Sequence, residues 1–120
     1  EFGSHTLTHA DLSKLALKEA SKELTESKKL LQKKLGNKIN AVGYPYGNCS
    51  DEVKNSARKA EYKFGFATDK APFGLHEDLF QIRRIGIFPN TNVSGLARKV
   101  KGNYTFRKEK KDSPCWRIPL

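Results

Sequence analysis

Between residues 12 and 35 the apolar side chains Leu17, Ala20, Leu24, Leu31 and Leu35 recur at close to helical spacing, with lysines and glutamates between them. The pattern predicts an amphipathic helix, capped by Ser13 or the residues after it and stopped by Gly36-Asn37. A short run, Ile39-Asn40-Ala41-Val42, reads as a strand that leads into a loop at Gly43-Tyr44-Pro45-Tyr46-Gly47. Ser50-Asp51-Glu52 has the hydroxyl and acidic residues of a helix start, with Val53, Ala57 and Ala60 facing inward. Residues 62–68 predict a buried strand ending at Asp69. Residues 79–88 predict another, with Ile85 and Ile87 on one face and Arg84 on the other. A last short helix follows Asn92 and uses Val93, Leu96 and Val100. One local conflict stands out at the end of the second helix. Glu61 occupies a position where a left-handed glycine is favoured, and Glu there costs about 1 kcal/mol if φ is positive.

Strands alternating with helices predict an α/β architecture with parallel strands. In such folds chemistry gathers at the C-terminal ends of the strands. Three loops fall there: the one carrying His5 and His9, the one at residues 44–47, and the one holding Asp69. No internal repeat is evident.

Composition narrows the class. The chain has 120 residues, 37% hydrophobic and 30% charged, as in an ordinary globular chain, and no apolar run approaches the ~20 residues that span a bilayer. Residue 1 is Glu rather than Met, and no basic-then-apolar leader pattern is present. The net charge of +10 is compatible with a nucleic acid, an anionic cell-wall polymer or a solvated surface. The lysines are spread along the predicted helices, and few aromatic residues interleave with them, which argues against nucleic acid as the partner. Basic density rises over residues 98–111, so we place a domain at 1–104 and a basic tail at 105–120. Cys49 and Cys115 show no CxxC spacing, which excludes a zinc ribbon. They are either one disulfide in an exported protein or two separate thiols.

His5 and His9 are the first candidates for chemistry. On a helical turn an i, i+4 pair can direct both imidazoles at one divalent cation, and Ser4, Thr6 and Thr8 could orient the rings. Zinc, cobalt, nickel and iron all accept imidazole, so the spacing does not name the metal. Two solvated loop histidines are the plain alternative.

The segment Gly3-Ser4-His5-Thr6-Leu7-Thr8-His9-Ala10-Asp11-Leu12 resembles the second sequence motif of the polysaccharide deacetylase family, carbohydrate esterase family four. Tyr44-Pro45-Tyr46-Gly47 resembles its third motif, usually Arg-x-Pro-Tyr-Gly, one helix and one strand later. The likeness covers roughly residues 1–101. It implies a partial (β/α) barrel, the N-terminal strands lying upstream, and a metal-dependent hydrolase that removes N-acetyl groups from a polysaccharide. His5 and His9 would be two metal ligands, zinc being the expected metal. The N–H of Tyr46 would help form the oxyanion hole, and Tyr44, Pro45 and Gly47 would line the substrate groove.

The family's first motif, Thr-Phe-Asp-Asp-Gly, supplies the base and the third ligand and is not found here. The third-motif Arg is also replaced, and Arg84 is the candidate to take its part. His76, after Leu75, is the candidate acid for the leaving amine, and Asp69 would orient that acid, contact substrate or simply cap a turn. These departures resemble the branch acting on poly-N-acetylglucosamine and related envelope glycans, which implies a secreted or cell-surface protein of the bacterial envelope. The rival reading is a non-catalytic glycan- or wall-binding module on the same fold. A basic nucleic-acid-binding domain comes third.

Overall fold

The computed structural model describes residues 1–68 and 78–101. The chain divides into two compact units, residues 1–89 and 90–120. Asp69, His76, Cys115 and the tail 105–120 lie outside the described residues.

In the first unit a 3-10 turn, Leu12–Lys14, precedes helix α1, Leu17–Leu35. Asp11 rather than Ser13 does the capping here, its carboxylate accepting from the Ser13 N–H. The helix starts five residues later than the apolar pattern begins, and Glu19 accepts from the Ala16 N–H at its start. Gly36, with φ 68°, ends it as expected. Ala20 and Leu24 are buried and Leu31 and Leu35 pack on the core, while Leu17 in the first turn is exposed.

Strand β1, Ala41–Gly43, is followed by helix α2, Asp51–Lys59, capped by the Ser50 hydroxyl. Strand β2, Phe64–Ala67, pairs in parallel with β1 on one side and with β3, Ile82–Arg83, on the other. The strand expected over 79–88 is therefore only two residues long. Its pairing stops where β2 stops, at Ala67 opposite Arg83, and β3 ends the described strand order. At the opposite edge Ser4 makes a single parallel bridge to Val42, so the N-terminal segment acts as a minimal further strand. The Ser4 N–H donates to the Ala41 carbonyl, and the Gly43 N–H donates to that of Ser4.

Alternation sorts the sheet into two faces. Val42, Gly65 and Ala67 are buried, and Val42 and Ala67 belong to the core formed with Leu12, Ala20, Leu24, Ile39, Val53, Ala57 and Tyr62. Ala41, Phe64, Phe66 and Ile82 line an open cleft of about 630 Å³ on the other face, with His5, Gly43 and Arg84 along it. Gly65 has no side chain for a reason of space: a Cβ there would fall 2.3 Å from the Tyr44 hydroxyl. The Tyr44 ring passes across that gap and its phenol donates to the Phe80 carbonyl at 2.9 Å. Burial pushes that phenol's pKa well up, so it stays a donor.

Glu61 does take a left-handed conformation, φ 60°. Lys28 compensates from α1, its ammonium donating to the carbonyls of Ala60 and Glu61 at 2.9 and 2.6 Å and lying over the Tyr62 ring. Removing the Cβ strain should therefore be a net gain. Glu61→Gly is expected to stabilise the fold by about 1 kcal/mol, read as a higher melting temperature; an unchanged or lower one would show that Lys28 already absorbs the strain.

Helix α3, Val93–Val100, is capped by Asn92, whose side-chain oxygen accepts from the Gly95 N–H. The apolar stripe expected to bury it is exposed: Val93, Leu96 and Val100 are uncovered among the described residues. No helix among those residues is long and apolar enough to cross a membrane.

Candidate active site

The C-terminal rim of the sheet is where the candidate residues meet. Ser4 is buried, its hydroxyl 2.7 Å from that of Ser27 on α1, and its bridge to β1 sets His5 directly beyond the strand-like segment. The His5 Nδ1 lies 2.6 Å from the Gly43 carbonyl. A carbonyl can only accept, so Nδ1 carries the proton, and in a neutral ring Nε2 would be the nitrogen with the lone pair.

The chain then turns back on itself in the loop expected before α1, without the helical turn by which an i, i+4 pair can converge. Thr6 has φ 66° and His9 φ 59°, both left-handed. Between them the Leu7 and Thr8 N–H groups donate to the Glu23 carboxylate at 2.8 and 2.9 Å, leaving no helical hydrogen bonds to make. The two imidazoles nonetheless converge, ring centroids 4.8 Å apart and nearly edge to face. Non-glycine residues held at positive φ beside convergent imidazoles are the kind of local strain found at functional sites.

Tyr46 closes the third side. Its ring centroid is 5.1 Å from that of His9 and its side chain is exposed. It sits in the 3-10 turn Pro45–Gly47 with φ 58°, another left-handed residue. The turn is held by the N–H groups of Gly47 and Asn48, bonded to the carbonyls of Tyr44 and Pro45. No such bond uses the Tyr46 N–H among the described residues. Asn48 donates to Asp11 at 3.0 Å, tying this turn to the segment after His9, and His9, Asp11, Lys14, Tyr46 and Asn48 border a hollow of about 340 Å³. The Asp11 carboxyl is held below its usual value, first by the Ser13 hydroxyl and against some burial, with Asn48 helping.

Two expectations, those for Tyr44 and Pro45, change on contact with this geometry. Tyr44 cannot line a groove, because it is wholly buried and its hydroxyl is spent on Phe80. Pro45 is buried too, so it shapes the turn from beneath without facing a sugar. Gly47, with φ 70°, makes room for Thr68: a Cβ there would lie 2.2 Å from that side chain. Arg84 reaches the rim as expected, but its bonds go to main-chain carbonyls, from Nε to Ala67 at 3.0 Å and from Nη2 to Tyr44 at 3.4 Å. Its Nη1 and the His5 Nδ1 lie 3.4 and 3.2 Å from where a Gly43 Cβ would be, so a side chain there would press on the His5 ring by a few tenths of an ångström.

Sequence reasoning missed Glu23, Asp11 and Asn48. Asp11 carried a usable signal, an acid just ahead of a turn; Glu23 carried none, since one glutamate on an exposed-looking helix face is indistinguishable from its neighbours. As a metal centre the site is half-built: among the described residues no group of three or more His, Cys, Asp or Glu converges. The donors present fit a divalent cation as two imidazole ligands.

The chain as a whole is similar to solved structures of known proteins. The chain is similar to the deacetylase PplD of Streptococcus pyogenes, solved with acetate, at 30% identity and a TM-score of 0.75 over 82% of this chain and 43% of that one. It is similar to BC0361, a polysaccharide deacetylase from Bacillus cereus, at 31% identity and a TM-score of 0.71 over 83% of this chain and 32% of that one. Among curated proteins it is 24% identical over 98 residues to YxkH of Bacillus subtilis, provisionally named a polysaccharide deacetylase, covering 82% of this chain. The chain spans only 35% of YxkH's length. Parallel strands with helical crossovers, covering part of such a domain, are the partial barrel expected from the sequence. The family profile for polysaccharide deacetylase matches residues 1–65, the stretch that holds both histidines and the Tyr46 turn, and the chain belongs to that family.

Proposed function

We propose that this chain is the C-terminal part of a metal-dependent deacetylase that hydrolyses N-acetyl groups on an N-acetylglucosamine-containing polysaccharide of the bacterial envelope. The observation that carries the reading is the convergence of two imidazoles, one bonded through Nδ1 to the Gly43 carbonyl, beside a turn whose Tyr46 N–H makes no backbone bond among the described residues. A divalent cation held by His5 and His9, zinc being our choice, would polarise the acetamide carbonyl and acidify a bound water. The Tyr46 N–H is placed to donate to the oxygen that becomes negative as the carbonyl carbon turns tetrahedral. Arg84 fixes the ends of β1 and β2, and so holds the rim on which His5 and Tyr46 sit. The base and the third ligand would be an aspartate pair supplied from upstream, and His76, with Asp69 to orient it, would protonate the leaving amine. Water is consumed, and acetate and a free amino sugar are released. Support for the substrate class comes from the family and from the acetate bound to PplD. The charge of +10 suits a substrate embedded among anionic wall polymers.

The test is acetate release from N-acetylglucosamine oligomers. The 120-residue chain alone should release none, and a longer chain that adds an upstream Asp-Asp segment should release it in a chelator-sensitive way. Strong release by the short chain would overturn the need for upstream acids. No release by the longer chain, with binding to the oligomers retained, would favour a glycan-binding module.

A further inference from the structure

We propose that Glu23, on the second turn of α1, is the positioning residue that holds His5 and His9 in ligating geometry. The inference rests on those histidines being metal ligands. Glu23 touches neither ring. Its Oε2 accepts from the Leu7 and Thr8 N–H groups at 2.8 and 2.9 Å, and its Oε1 accepts from the Thr8 hydroxyl at 2.8 Å. One carboxylate thus takes three hydrogen bonds from the two residues at the apex of the loop.

That apex is flanked by Thr6 at φ 66° and His9 at φ 59°. Neither residue favours that region, least of all a β-branched threonine, and such conformations persist only where surroundings over-determine them. Glu23 supplies that restraint. Four residues further along α1, Ser27 grips Ser4 at 2.7 Å, so successive turns of one helix face hold both the start and the apex of the loop. Burial raises the Glu23 carboxyl, but the bonds from Thr8 and Leu7 outweigh it and hold it below its usual value, so the clamp is anionic at neutral pH. Releasing the apex would let both left-handed residues relax, and the 4.8 Å approach of the rings would no longer be fixed.

The experiment titrates zinc into the 120-residue chain by calorimetry, following the imidazole signals of His5 and His9 by NMR, with a melting curve for each variant. Glu23→Ala should weaken zinc binding by on the order of tenfold or more, the range typical of groups that orient metal ligands. Glu23→Gln should restore most of it, since the amide oxygen can accept both N–H bonds and its NH₂ can donate to the Thr8 oxygen. Should Glu23→Ala fail to fold, Glu23→Asp withdraws the oxygens by one methylene while keeping the charge, and it should weaken zinc in the folded protein. A lower melting temperature with parental zinc affinity in these variants would overturn the role, as would Glu23→Gln binding no better than Glu23→Ala. If His5→Ala with His9→Ala binds zinc like the parent, the ligand pair falls and this role with it. If that double variant loses zinc and Glu23→Ala keeps it, only the role of Glu23 falls.

Discussion

Replacing His5 and His9 together by alanine is expected to bring zinc uptake by the chain down to background. Among the described residues these are the converging imidazoles, and no third acid, thiol or histidine joins them to rescue a partial site. Both side chains are exposed, so the change should cost little stability and the loss of metal will not be a loss of fold. The two positions still differ. His5→Ala removes a ring whose orientation is fixed through Gly43 and should leave the backbone as it is. At His9 the backbone is left-handed, a region asparagine tolerates better than alanine, so His9→Asn is the cleaner single change. Metal content after dialysis, measured on parent and double variant, decides the matter: equal content means that other groups bind the ion.

The elements and their order were legible because each had its own local signal. The α1 periodicity, the Gly36 stop, the Ser50 cap and the apolar strands all reflect rules that act within a few residues. Even the Glu61 strain could be read locally, from a non-glycine residue at a helix end. Errors came where a partner far along the chain decides. The length of β3 depends on where β2 ends, and nothing within residues 79–88 encodes that. The loop carrying the histidines was legible, but not what shapes it: Glu23, more than a dozen residues away, takes the Leu7 and Thr8 N–H groups. Tyr44 and Tyr46 look alike in a four-residue motif, yet the pleat of β1 and the gap above Gly65 send one into the core and leave the other at the rim. The motif thus brought Tyr46 to the rim beside His9 while Tyr44 and Pro45, expected to line a groove, went beneath it.

That division makes Pro45 the more informative residue of the turn. Pro45→Gly is expected to lower turnover on the order of 100- to 1,000-fold in an active, longer form of the enzyme, the usual effect of losing one oxyanion-hole donor. The reason lies in the backbone. Pro45 fixes its own φ immediately before Tyr46, and Tyr46 is held at φ 58° with no backbone partner for its N–H among the described residues. A glycine at 45 would free two dihedrals beside a strained residue, and the cheapest relaxation is for Tyr46 to leave the left-handed region, which re-aims that N–H. Tyr46→Phe keeps the backbone and the ring that meets His9, so it should be nearly silent. Pro45 is also buried, and its replacement by glycine removes packed atoms, so some fall in melting temperature is expected whatever its part in catalysis. Turnover per folded molecule therefore has to be measured with the melting temperature on the same variant. A drop in both supports a held oxyanion donor. A drop in melting temperature alone, with unchanged turnover of the folded fraction, would reduce Pro45 to a plug beneath the rim.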